Sequence, residues 1–302
     1  MIRVATIPLQ RTLSNSIQKA QKKLGETQIQ LDSGKRVSDL AGLGSKAVRT
    51  LSTRSLLARQ EAQVSAANQL GTTLSLYDAN ITAIDNNAAE LREKLVSALG
   101  TGQTPGMQGA IEGAFDLFRG AINGRDGEAP MFAGAQTDTP PFNLLTLNDA
   151  IGATPATAFA NDGVRAAARV GDGVDVVYGV TANELGSGLL SAFRTLAEAG
   201  PYGATPTVAQ TDAMRAAIAQ IDTALPQVRA INAENGRKQE QVERLAVRGE
   251  DRAVLLKDVI SRNEDADWGQ ISIDLAQQKT VLQASYSVFS QLSGLSLVNF
   301  LR

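Results

Sequence analysis

The chain of 302 residues has no cysteine and no histidine. The first absence removes disulfides and thiolate chemistry, and the second removes imidazole metal sites and proton relays; no Ser-His or Cys-His catalytic arrangement can be built. Any catalysis would have to run on carboxylates, lysine, serine or tyrosine, so a non-enzymatic role is expected, with no cofactor and no metal. Aromatic residues make up only 4% of the chain, while 43% is hydrophobic and weighted to alanine. That balance favours helices packed through small residues over one large aromatic core. No run reaches the roughly 18 apolar residues of a spanning helix, so no membrane span is expected. The net charge of −2 leaves no basic surface of the kind phosphate backbones require, which argues against nucleic acid as a partner. The first residues, MIRVATIPLQRTLS, contain no apolar core of signal-peptide length. No phosphate-cradling Gly-Lys-Ser/Thr motif is present.

What is present is helical period. Leu13, Ile17, Ala20, Leu24, Thr27 and Leu31 alternate steps of four and three, and a helix is expected over 8–32, ending at Ser33-Gly34. At the other end Ile271, Leu275, Leu282, Phe289 and Leu292 form a second seam, with Val281, Val288 and Leu295 beside it. Laid antiparallel with Leu13 opposite Leu292, Ile17 meets Phe289, Leu24 meets Leu282 and Leu31 meets Leu275. The small pair Ala20/Ser285 and the polar pair Thr27/Gln278 then coincide as well. Sliding by one heptad offers a few other registers. Residues 1–36 carry seven Lys/Arg against Glu26 and Asp32, and residues 263–302 carry Lys279 and Arg302 against four acids. Opposite signs favour pairing and bring Lys35 and Arg36 near Asp267. Exposed pairs contribute only about 0–1 kcal/mol, so simple solvation of these charges is the plainer alternative.

Between the ends, Leu70, Leu74, Tyr77, Ile81, Ile84, Ala88, Leu91, Leu95 and Ala98 define a long helix over 45–99, a rod of roughly 80 Å at ~1.5 Å per residue. Ile111, Phe115, Phe118 and Ile122 mark a shorter helix. From Gly124 to Thr181 that period is lost, and Val174, Val176, Tyr178 and Val180 alternate as a half-buried strand. Thr181-Ala-Asn-Glu184 is a capping box opening a helix that carries Leu185, Leu189, Phe193 and Leu196. A second rod begins near Thr207. Its seam turns polar at Asn232, Asn235 and Gln239, and Pro226 predicts a kink or break. Ser261-Arg-Asn-Glu264 reads as another capping box, restarting a helix at 262. The fold class is therefore mainly α. Antiparallel rods over 45–99 and 207–260 lie in a helical rod domain of 45–124 with 182–261, which joins a terminal coiled-coil domain of 1–44 with 262–302, and a small β-rich insertion over 125–181 sits at the tip, facing outward. Glu264, Asp265 and Asp267 suit a helix start or pairing better than metal binding or acid–base work, since one exposed turn encloses nothing.

Four stretches resemble the bacterial flagellin superfamily: Leu31-Asp-Ser-Gly-Lys-Arg-Val37, Met131-Phe-Ala-Gly-Ala-Gln-Thr-Asp-Thr-Pro-Pro-Phe142, Asn263-Glu-Asp-Ala-Asp267, and the segment from Gln283 to Leu297. The resemblance covers about 1–140 and 205–302. Phe132-Ala-Gly with Thr137-Asp-Thr-Pro-Pro141 is nearer to subunits of the hook–filament junction than to filament flagellins, and Asp39-Leu-Ala-Gly-Leu-Gly44 departs from the run usual after a flagellin's first helix. Filament flagellin and an unrelated coiled-coil scaffold remain the alternatives. The resemblance implies a structural subunit exported unfolded to the extracellular flagellum without a cleaved signal peptide. It implies a homo-oligomeric ring in contact with a neighbouring hook-associated protein and flagellin. The assembly seam would be Leu13, Ile17, Leu24, Leu31, Ile271, Leu275, Leu282, Phe289 and Leu292. An export chaperone would hold Phe289, Leu292, Leu295 and Leu297.

The few large residues of the first seam cannot offset the entropy of ordering so many others. Residues 1–40 and 265–302 are therefore expected to exchange amide hydrogens rapidly in dilute monomer and to gain protection when copies pack. Strong protection of both ends in a verified monomer would overturn this.

Overall fold

The computed structural model describes residues 3–136 and 138–298, with side chains placed over 11–136 and 138–291. The elements in order are α1 (Arg3–Ser33), a 3-10 turn (Ala41–Lys46), α2 (Ala47–Thr101), α3 (Met107–Ile122), β1 (Arg125–Asp126), β2 (Ala129–Pro130), α4 (Pro155–Ala158), β3 (Ala166–Gly171), β4 (Val174–Tyr178), α5 (Ala182–Ala199), α6 (Val208–Glu264) and α7 (Trp268–Val298). A second 3-10 turn, Leu147–Ala150, precedes α4. They divide into two compact units. One is Met1–Arg59 with Arg252–Arg302, and the other is Gln60–Asp251.

In the unit Gln60–Asp251 the whole α2 row from Leu70 to Ala98 is buried, as its period of four and three requires. Antiparallel to it lies α6, fixed at several heights. Arg92 pairs with Asp222, Arg229 Nε donates to Asp85 at 2.8 Å, and Asn232 Nδ2 donates to Thr82 Oγ1 at 3.2 Å. Lower down, Asn235 Nδ2 and Gln239 Nε2 both donate to the Leu74 carbonyl at 2.9 Å. The polar seam thus places amide donors on one chosen carbonyl, which an apolar seam cannot do. Pro226 lies inside α6 and the helix runs through it without a break. Of the expected kink or break, the break does not occur.

The core departs from the small-residue expectation. Five of the eight phenylalanines meet where α3, α5 and the insertion join. Phe115–Phe193, Phe118–Phe142 and Phe142–Phe159 have ring centroids 5.5, 5.3 and 5.2 Å apart. Gly186 permits this, since a Cβ there would come within 2.6 Å of Ile122 and 2.9 Å of Phe118. Scarce aromatics are concentrated, so a low total conceals a large-residue core. Thr181 caps α5 with Glu184 as the sequence indicates.

The insertion also sits differently from the tip position expected. Antiparallel to α2, helix α3 brings the chain back to Asn80, where Gly124 meets its side chain. The β3–β4 hairpin then lies along the middle of the rods. Val170 and Val176 are buried with Ala67, Leu70, Leu74, Val242 and Ala246. A two-stranded ribbon is marginal alone and needs such a surface. Across the strands Arg169 grips Asp175 with Nε–Oδ1 at 2.8 Å and Nη2–Oδ2 at 3.1 Å.

Phe118→Ala should destabilise this unit by about 3–5 kcal/mol, because its ring is fully enclosed. Chemical denaturation followed by circular dichroism measures it, and an unchanged midpoint would refute the aromatic core as its centre.

Candidate functional site at the paired chain ends

In the unit Met1–Arg59 with Arg252–Arg302, α1 packs along α7. Gln21 Nε2 donates to Tyr286 Oη at 2.5 Å, close to where the expected alignment of Leu24 with Leu282 would bring these two positions. Ile17 and Ile271 are buried, and Leu13, Leu24, Leu31, Leu275 and Leu282 are half-buried. Thr27 is buried with its hydroxyl on the Lys23 carbonyl at 3.0 Å, and the Oε1 of half-buried Gln278 has no hydrogen-bond partner among the described residues. Phe289 is 37% exposed. The side chains of Leu292, Leu295 and Leu297 lie outside the described residues.

The outer side of α7 stays apolar. Ile273, Val281 and Val288 are all exposed, by 46% to 63%. A helix with one apolar face turned inward and another left bare is suited to packing among several helices.

At the inner end of this pair the chain makes a clasp. Helix α1 stops at Gly34, whose positive φ of 66° closes the turn on the Gln30 carbonyl at 2.9 Å. Arg36 N donates to the Glu264 carbonyl at 2.7 Å and Ala266 N to that of Gly34 at 3.0 Å. These form a one-residue antiparallel bridge between Lys35 and Asp265. The Trp268 ring lies against Gly34. Lys35 Nζ donates to Asp265 Oδ1 at 2.5 Å. Glu264 is only 5% exposed, and its Oε2 accepts from Arg54 Nη2 at 2.6 Å with Lys35 Nζ at 3.7 Å. Its other oxygen, and the hydroxyl of the fully buried Thr50, have no partner among the described residues.

The sequence placed the helix restart at 262 with Ser261 as cap. Instead α6 continues to Glu264, and Asp267 caps α7, accepting from Gly269 N at 2.9 Å and Gln270 N at 3.2 Å. Ser261 donates to Asp265 instead. The acidic cluster therefore splits three ways: a buried ion-pair partner, a half-exposed one and a cap. Arg54 was missed because it falls off the periodic row of α2. Among the described residues no group of three or more His, Cys, Asp or Glu could hold a metal ion, and no helix is long and apolar enough to cross a membrane.

Residues 4–137 match the family model of the bacterial flagellin N-terminal helical region, and residues 218–301 match that of the C-terminal helical region. Flagellar hook-associated protein 3 of Salmonella typhimurium is 26% identical over 296 residues, covering 91% of each chain. The protein of that name in Escherichia coli is 28% identical over 308 residues, covering 95% of this chain and 94% of that one. A putative flagellar hook-associated protein from Vibrio parahaemolyticus superposes with a TM-score of 0.57 over 74% of this chain and 100% of its own, at 15% identity, which speaks to fold alone.

The Asp265 carboxyl is held below its ordinary value of 3.8 by the Lys35 ammonium first and the Ser261 hydroxyl second. A depressed folded value means stability that is present above the unfolded value and lost as pH falls through the folded one. Asp265→Asn should therefore speed exchange of the Arg36 amide by a constant factor from pH 5 to 8. That difference should shrink below about pH 4. A difference unchanged down to pH 2 would contradict the assignment.

Proposed function

As the chain belongs to the bacterial flagellin family, by the N- and C-terminal helical regions it shares with it, we propose that it is a non-catalytic structural subunit of the bacterial flagellum, joining hook to filament and assembling through its terminal helices. The observation that carries this reading is the pairing of α1 with α7. The two ends are the stretches matched to the flagellin family, and together they leave one face of α7 apolar and uncovered. The near full-length relatives are hook-associated proteins, which favours the junction over the filament. On this reading the seam is Leu13, Ile17, Leu24, Leu31, Ile271, Leu275, Leu282, Phe289 and Leu292. Copies close into a ring, with a neighbouring hook-associated protein on one side and flagellin on the other. Before export a chaperone covers Phe289, Leu292, Leu295 and Leu297. Filament flagellin is the alternative and differs in stoichiometry: a filament protein polymerises without limit, a junction protein stops at short assemblies.

Leu282→Asp places a carboxylate in the α1–α7 seam and should abolish assembly and motility while the unit Gln60–Asp251 keeps its helicity. Electron microscopy of flagella carrying the labelled protein should find it at the hook end. Normal filaments and wild-type swimming in the variant would remove the seam from the account, and label along the whole filament would favour the flagellin alternative.

A further inference from the structure

We propose that the Glu264 clasp selects the register of the α1–α7 pair, a choice that the seam itself leaves open.

The seam repeats every seven residues, so a shift of one heptad, about 10 Å, restores apolar contact. In one direction Leu24 would meet Leu275 and Leu31 would meet Trp268; in the other, Leu24 would meet Phe289 and Leu31 would meet Leu282. Most of these side chains are only half-buried in the observed register, so little packing is specific to it. Its polar layer is equally permissive. Thr27 satisfies its hydroxyl within α1 and Gln278 leaves an oxygen unpartnered, so neither ties one helix to the other.

The clasp has no such repeat. A carboxylate 5% exposed is tolerated only with its charge partners in place. Those partners come from two other stretches: Arg54 from α2 and Lys35 from the segment after α1. Lys35 can reach Glu264 only when the Gly34 carbonyl faces Ala266 N and Arg36 N faces the Glu264 carbonyl. Shifting α1 by a heptad breaks both backbone bonds, parts Lys35 from Asp265 and strips Glu264 of one cation. The segment between Gly34 and Lys46 carries glycines at 34, 42 and 44 and can follow such a shift. Apart from the single exposed Gln21–Tyr286 hydrogen bond, the clasp is what opposes it. Glu264 is thus a positioning residue, acting on contacts up to five helical turns away.

The cysteine-free sequence allows a direct test by disulfide trapping in the full-length, unassembled chain, so that its outcome is separate from that of the assembly reading. Gln21→Cys is combined with Tyr286→Cys to report the observed register, and with Lys279→Cys or Ser293→Cys to report a slip of one heptad either way. Trapping reads register even in a pair that opens and closes. With Glu264 intact, the 21–286 cross-link should exceed either slipped one at least tenfold. Glu264→Gln keeps the shape, removes the charge and should bring that ratio down tenfold or more, towards parity. Lys35→Gln, at a half-exposed position, should act in the same direction and serves if the first variant folds poorly. An unchanged ratio in both variants would overturn the proposal. Loss of all three cross-links would also overturn it, since the clasp would then hold the helices together without choosing their alignment.

Discussion

Glu264 is a charge taken out of water, and that condition constrains everything around it. A carboxylate so placed needs its cations, and they arrive from α2 and from the turn after α1. Three stretches distant in sequence must therefore converge before the terminal helices have a defined start. Gly34 ends one helix and Asp267 begins the other at the same height, so both ends of the polypeptide leave this point side by side. Beyond it, α1 and α7 share a shallow seam of half-buried residues. The buried charge sits at the root of the pair, while α7 leaves Ile273, Val281 and Val288 exposed.

The unit Gln60–Asp251 solves the same problem differently. Its rods hold alignment through amide groups set within an apolar seam, two of them converging on the Leu74 carbonyl. Its centre is a group of phenylalanines contributed by α3, α5 and the insertion, none of which is long enough to be stable alone. One unit is defined by a buried charge, the other by rings and amides.

Much of this was legible in the residues. The α2 row, the Thr181 cap, the strand around Val176 and the stop at Gly34 follow from period and turn chemistry. The pairing of ends was readable because an apolar seam, a small layer and a polar layer coincided. Other features were hidden for identifiable reasons. Ser261 and Asp267 both begin plausible caps, and only the partner across the chain decides between them. Pro226 reads as a breaker, yet a long helix packed along its length tolerates the loss of one hydrogen bond. A composition of 4% aromatics does not say that five of the phenylalanines meet in one place. Nor does periodicity reveal that α3 carries the insertion back along the rods, because direction of travel after a turn is a tertiary property.

The height at which the β3–β4 hairpin lies has a mechanical meaning. It crosses α2 and α6 close to the place where their seam gives up leucine for asparagine and glutamine. Amide bonds there resist sliding, but they supply little apolar adhesion. The ribbon acts as a splint: any bending or torsion of the two rods at that level must also shear a β ladder and a bidentate Arg169–Asp175 grip. Stiffness is thereby added where the helices alone would yield first.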